Sequence, residues 1–133
     1  MLEKILCVDD DAITLMLCRK VVAKADFAKV TDSASNGEEA LAYFDNLIVT
    51  NESHPELILL DLNMPVMGGW EFLDNFSKGT YANVFSKVKV VVLSSTIDPH
   101  DVEKSKSYPM VLDFMSKPIT IEMLETLKQS FNK

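Results

Sequence analysis

Cysteine and histidine are scarce in this chain of 133 residues: two of each. Cys7 and Cys18 form no CxxC pair and no Cys/His cluster, so neither a disulfide scaffold nor a zinc site is indicated. Both read as reduced core residues. His54 and His100 stand alone in polar stretches and read as solvated loop residues. Basic residues are also short, 13 against 20 acidic ones, for a net charge of −7. A duplex nucleic acid or an anionic membrane surface requires a basic face, which this balance argues against. No apolar run is long enough to span a bilayer. The opening Met1-Leu2-Glu3-Lys4 lacks the pattern of a secretory signal, because its apolar stretch soon meets Asp9. No repeat, low-complexity tract or linker interrupts the chain. A cytoplasmic protein with one domain, 1–133, and no output domain is the expectation.

The remaining composition is that of a folded globular domain, with 47% hydrophobic and 25% charged residues, which argues against disorder. Five short apolar runs stand out: Lys4–Val8, Ala28–Ser33, Leu57–Leu60, Lys89–Leu93 and Val111–Met115. Three contain unbroken apolar stretches, Ile5-Leu6-Cys7-Val8, Leu57-Ile58-Leu59-Leu60 and Val90-Val91-Val92-Leu93. Strands of a parallel sheet buried on both faces have this character. Ala28–Ser33 alternates and suits an edge strand.

Helical patterns lie between the runs. Ile13–Ala25 carries Ile13, Leu17, Val21 and Ala25 on one stripe. Gly37–Asn46 follows Asn36, a good N-cap, and Gly69–Ser77 groups Trp70, Leu73 and Phe76. Asp101–Ser107 is short and polar. A last helix follows the cap Thr120, with Met123, Leu124, Leu127 and Phe131 as its apolar stripe. Surface loops are expected at Leu47–Glu56 and Lys78–Lys87. Strands alternating with helices predict a five-stranded parallel α/β sheet with helices on both faces. Chemistry in such sheets sits at the carboxyl ends of the strands.

Those ends carry a readable set of groups. The first strand ends in Asp9-Asp10-Asp11, the third in Asp61, the fourth in Ser94-Ser95-Thr96 and the fifth in Ser116-Lys117-Pro118. Crowded carboxylates repel unless a hard cation sits among them, and magnesium favours carboxylates, waters and phosphate oxygens. A carboxylate is also a nucleophile toward phosphorus. Charge on phosphoryl oxygens calls for a cation, a lysine and a hydroxyl donor. Singly, each piece has another reading: a helix cap for one of Asp9–Asp11 or for the Ser94–Thr96 run, a turn for Asp61 or for Lys117-Pro118. Their joint occurrence at successive strand ends favours convergence.

With these segments the sequence resembles the receiver domain of response regulators, of the single-domain, chemotaxis-regulator (CheY-like) type. The resemblance spans essentially the whole chain. It rests on Ile5–Asp11, on Leu57–Gly69 with its Asp61-Leu62-Asn63-Met64-Pro65, on Val91–Ser95 and on Asp113–Pro118. It implies strand order 2-1-3-4-5 in a flavodoxin-like three-layer sandwich. It further implies that Asp61 accepts a phosphoryl group from a histidine kinase or a histidine phosphotransfer protein. Magnesium would be held by Asp10, Asp61 and the backbone carbonyl of Asn63, with Asp9 acting through water. Ser94 would hydrogen-bond the phosphoryl group, Lys117 would pair with its oxygens, and Phe114 falls at the aromatic switch position. The Lys117–Pro118 bond is expected to be cis. The readout would be the surface of the Asp101–Ser107 helix, strand five and the final helix, docking a downstream protein or, in a homodimer, a second copy. Nucleic acid and membrane are not expected partners. Such a domain is no enzyme, assisting only its own phosphorylation and dephosphorylation.

Four residues depart from the family pattern. Ser94 replaces the commoner threonine but keeps the hydroxyl. Ser95 replaces a small alanine. Gly68-Gly69 stands for Asp-Gly, which reads as a looser loop. Phe114 lacks the hydroxyl of tyrosine. Asn63 and Thr96 occupy positions through which the family tunes phosphate lifetime. Two rival readings exist. Asp9 and Asp11 resemble the opening motif of haloacid-dehalogenase-like phosphatases, with Asp9 as nucleophile and Asp11 as acid/base, but Ser116-Lys117-Pro118 offers no second acidic pair. A phosphorylation-independent interaction module would have lost an acid, the lysine or the acceptor, and all are present.

Overall fold

The computed structural model describes residues 1–131. Among the described residues five strands alternate with helices, two of which follow the third strand: β1 Leu2–Val8, α1 Ala12–Lys24, β2 Ala28–Ala34, α2 Gly37–Thr50, β3 Leu57–Asp61, α3 Gly69–Phe76, α4 Gly79–Val84, β4 Lys89–Ser94, α5 Pro99–Ser105, β5 Val111–Ser116 and α6 Ile121–Phe131. All strand pairs are parallel and the order is β2-β1-β3-β4-β5. The three unbroken apolar runs occupy the interior strands, and every residue of β3 is buried. The alternating run forms the β2 edge.

Successive side chains of a strand point to opposite faces, which divides the sheet into two cores. One collects Leu6, Val8, Ile58 and Leu60 with Phe44 of α2 and Phe72 of α3. Phe44 lies 4.7 Å from Phe76 and 4.8 Å from Phe85, ring centre to ring centre. The other core collects Ile5, Cys7, Leu57, Leu59 and Val91 with α1 and α6. Each fully buried large apolar side chain contributes about 1.5–3 kcal/mol.

The helix ends follow local chemistry. The Asn36 side chain accepts from the Glu39 amide at 2.9 Å, while Glu39 accepts from the Ser35 amide at 3.0 Å. This reciprocal arrangement satisfies amides left free at the start of α2. Thr120 Oγ1 accepts from the Met123 amide at 3.2 Å and opens α6. Asp98 accepts from the His100 amide at 2.9 Å, so α5 begins at Pro99, two residues before the expected start.

Three expectations are corrected. The α1 stripe is rotated: Ile13 is 70% and Leu17 41% exposed, whereas Cys18 and Val22 are buried. Apolar residues surround this helix, so periodicity alone did not single out the inner face. α2 continues through Thr50 into a left-handed cap at Asn51, which shortens the first expected loop. The second holds the short helix α4, opened after Lys78 and packed through the partly buried Tyr81 against the Phe76 core.

An acidic pocket at the carboxyl ends of the strands

The register sets the functional rim. Val8 pairs with Leu60, Asp61 with Leu93 and Ser94 with Ser116. The residues that follow β1 and β5 therefore arrive beside Asp61. Asp9 and Asp61 are buried, Asp10 is exposed, and Ser94 is buried. Carboxylate oxygens of Asp9, Asp10 and Asp61 all lie within 4.8 Å of one another. Lys117 Nζ reaches in from the end of β5, 2.6 Å from Asp9 Oδ2 and 3.2 Å from Asp61 Oδ1. Its peptide bond to Pro118 is cis. The Lys117 amide donates to the Ser94 carbonyl at 2.8 Å, anchoring the segment to β4.

Electrostatics follow from this crowding. Burial and the neighbouring Asp9 charge push the Asp61 carboxyl above its ordinary value, against the pull of Lys117 and a hydrogen bond from the Asn63 amide. Burial would lower Lys117, but the hydrogen bond and charge of Asp9 and the charge of Asp61 outweigh it and raise the ammonium. Three carboxylates facing one ammonium leave an excess of negative charge among hard oxygen donors. That donor set fits a divalent cation.

The three consecutive aspartates divide their work. Asp11 turns to α1 and accepts from the Ile13 amide at 2.9 Å and from Thr14 Oγ1 at 3.1 Å. The Ile13 bond, then the Thr14 bond, holds its carboxyl below the usual range. Asp9 Oδ1 accepts from the Asp11 amide at 2.9 Å, leaving Oδ2 to Lys117. Asp11 is thereby committed to the helix, which removes the acid/base group of the phosphatase reading. Ser94 Oγ has only a long contact, 3.4 Å, from the Thr96 amide. Phe114 stands apart, half-buried on β5 against the core that contains Phe44.

Two backbone features follow Asp61, one at Gly69 and one at Val66. A Cβ on Gly69 would fall 2.6 Å from the Asp61 carbonyl oxygen and 2.9 Å from Leu62 Cα. The Gly68-Gly69 step is therefore a close backbone approach, with the Gly69 amide donating to the Leu62 carbonyl at 2.9 Å, and not a looser loop. Val66 has φ of 68°, and the Met67 amide donates to the Pro65 carbonyl at 2.7 Å across it. This γ-turn with a β-branched residue at positive φ is rare. A glycine pair after a turn was the available signal for Gly69. Val66 gave none.

Comparison with known proteins agrees with this architecture. The family model described as the response regulator receiver domain matches residues 5–128. A protein-glutamate methylesterase/protein-glutamine glutaminase of Methanococcoides burtonii is 29% identical over 126 residues, covering 94% of this chain and 32% of that protein. A probable C4-dicarboxylate response regulator, DctR, of Halalkalibacterium halodurans is 26% identical over 124 residues, 93% of this chain and 49% of that protein. The chain thus spans a third to a half of the length of these relatives. The crystal structure of a two-component response regulator from Cytophaga hutchinsonii superposes with a TM-score of 0.90 at 28% identity, covering 99% of this chain and 98% of that one. Among the described residues no helix is long and apolar enough to cross a membrane.

Proposed function

This chain belongs to the response-regulator receiver family of two-component signalling, and from that premise we propose that it carries a phosphoryl group on Asp61 and answers with a changed protein-docking surface. The observation that carries the reading is the position of Lys117 Nζ between Asp9 and Asp61, with Asp10 beside them. The receiver unit is taken as residues 1–133, of which the last two lie outside the described residues.

Asp61 acts as the nucleophile. Its carboxylate oxygen attacks phosphorus, the bond from phosphorus to the donor imidazole breaks, and an acyl phosphate forms on Asp61. Lys117 offsets the charge of Asp61 beforehand and pairs with a phosphoryl oxygen afterwards. Ser94 Oγ, with no short partner in this structure, donates to another. Asp10, Asp61 and the Asn63 carbonyl would hold magnesium, with Asp9 through water, and the bound ion would supply charge neutralisation for the transferred group. The donor is a histidine kinase or histidine phosphotransfer protein, and a cytoplasmic location accompanies that partner. Turnover is confined to phosphorylation and dephosphorylation of the chain itself.

The response runs through Ser94 and Phe114. Phosphorylation adds charge and strong acceptor oxygens at a fixed point. Ser94 moves toward them, and the half-buried Phe114 ring turns inward into the space released. Burying such a ring further is worth about 1–3 kcal/mol, enough to bias two states. The surface so changed is that of α5, β5 and α6. A downstream protein docks there, with a homodimer through this face as the other occupant.

The test uses a phosphorylated histidine kinase domain or a small-molecule phosphodonor, with intact-mass readout. One phosphoryl group per chain is expected with magnesium, and almost none after chelation. Stoichiometric labelling in the presence of excess chelator would overturn the role given to the acidic pocket.

A further inference from the structure

The two cysteines, eleven residues apart in sequence, come together where β1 passes under α1. Cys7 Sγ and Cys18 Sγ are 2.8 Å apart. Both thiols are free and each residue is 3% exposed. The chain has no third cysteine, so each sulfur has one intramolecular partner. Isolated buried cysteines act as small apolar residues, but a pair whose sulfurs face each other at this distance also has a covalent option. A disulfide has a sulfur–sulfur bond of 2.03–2.05 Å, so closure calls for the two sulfurs to approach by about 0.8 Å.

The setting gives the pair a place relative to the pocket. Cys7 lies two residues before Asp9, and Cys18 lies in the helix that Asp11 caps. A narrow cleft lined by Cys7, Cys18, Leu59 and Leu93 also touches Asp9 and Asp61. The sulfurs therefore lie beneath the floor of the acidic pocket, in an apolar crevice.

We propose that Cys7 and Cys18 form a redox-active dithiol that closes to an intramolecular disulfide on exposure to a hydroperoxide, tying β1 to α1 beside the acidic pocket. The inference does not depend on phosphorylation of Asp61. One sulfur attacks the peroxide oxygen, the O–O bond breaks, and a sulfenic acid and one water (or alcohol) result. The second sulfur then attacks the sulfenic sulfur, and the hydroxyl leaves as water with the remaining thiol proton. Two thiols are oxidised by two electrons and one hydroperoxide is reduced. A dithiol reductant reverses the change.

The experiment treats the reduced full chain with hydrogen peroxide, then alkylates it in denaturant and records intact mass and linked peptides. The expected product has lost about 2 Da, accepts no alkyl group and yields a Cys7–Cys18 linked peptide. Dithiothreitol restores two alkylatable thiols. The oxidised chain melts roughly 5–10 °C higher, as the closed loop constrains the unfolded state. Cys18→Ala shows no 2 Da loss at any dose, a readout independent of how well that variant folds. The proposal is overturned if the folded chain keeps both thiols at a dose that oxidises the same chain in urea. It is equally overturned if the folded chain gains oxygen atoms without a link, or if it forms linked dimers.

Discussion

Lys117 is the group on which the acidic pocket depends in the absence of a cation, and replacing it with methionine isolates that dependence. Methionine keeps most of the apolar stem and removes the charge. At an effective dielectric constant of about 20, the attractions of Nζ to Asp9 at 2.6 Å and to Asp61 at 3.2 Å are about 6 and 5 kcal/mol. Desolvation of the ammonium cancels much of this, and the lysine side chain remains one-fifth exposed. Breaking a fully buried pair costs about 3–5 kcal/mol, so the partly wet Lys117→Met pocket is assigned a loss of about 2–3 kcal/mol. The pH dependence has a definite sign. Asp61 already sits above its ordinary value, and loss of Lys117 raises it further. A group with a raised folded pKa loses stability as pH climbs from the unfolded value to the folded one. The deficit of the variant is therefore full near neutrality and shrinks as acid protonates Asp61. On the alkaline side, the raised Lys117 of the wild type contributes fully below its ordinary value and loses that contribution as pH climbs through the folded one. Urea unfolding in a chelator, across an acid-to-neutral series, measures this. Equal stability of variant and wild type at neutral pH, or a deficit that widens with acid, would refute the electrostatic account.

The other predictions concern the cation, the tight turn and the switch. Magnesium raises the wild-type melting temperature, with about 2.7 kcal/mol of stabilisation at a hundred times Kd; Asp10→Asn shows a much smaller rise, and equal rises would remove Asp10 from the ligand set. Gly69→Ala destabilises by about 2–3 kcal/mol because its Cβ meets backbone atoms that cannot yield. Helix propensity alone predicts a gain there, so a more stable variant in urea unfolding contradicts the close approach. Beryllium fluoride with magnesium shifts amide resonances along α5, β5 and α6 as well as around Asp61; shifts confined to the residues near Asp10, Asp61 and Lys117 would show that Phe114 does not switch.

The interior of the fold was legible because parallel strands buried on both faces leave unbroken apolar runs, and β1, β3 and β4 each had one. The edge position of β2 was legible from its alternation. The inner face of α1 was not, because Ile13, Met16 and Leu17 are apolar and exposed while Cys18 and Val22 are apolar and buried. Tertiary packing settles that choice, and local periodicity does not contain it. The extent of α2 was hidden in the same way by Ile48 and Val49, apolar residues on an exposed last turn.

The site was legible as chemistry at strand ends, although Lys117 and Asp9 are 108 residues apart in sequence. Strand order joins them, and that order came from the family resemblance. The residues alone did not divide the roles of Asp9, Asp10 and Asp11; the family resemblance separated Asp10 from Asp9 but did not name Asp11 as the cap of α1. One residue of backbone rotation separates the helix cap from the pocket, and a run of identical side chains carries no mark of it. The close approach at Gly69 and the facing thiols of Cys7 and Cys18 belong to contacts between segments, where a single chain segment gives no period to read.

The central claim is that Asp61 receives the phosphoryl group. Phosphorylated protein is reduced with borohydride, which converts an acyl phosphate on aspartate to homoserine, and the peptides are sequenced by mass spectrometry. Homoserine at position 61 alone, absent from Asp61→Asn and from chelated samples, is the predicted result. Homoserine at position 9 or 10, or a stoichiometric modified product in Asp61→Asn, would contradict it.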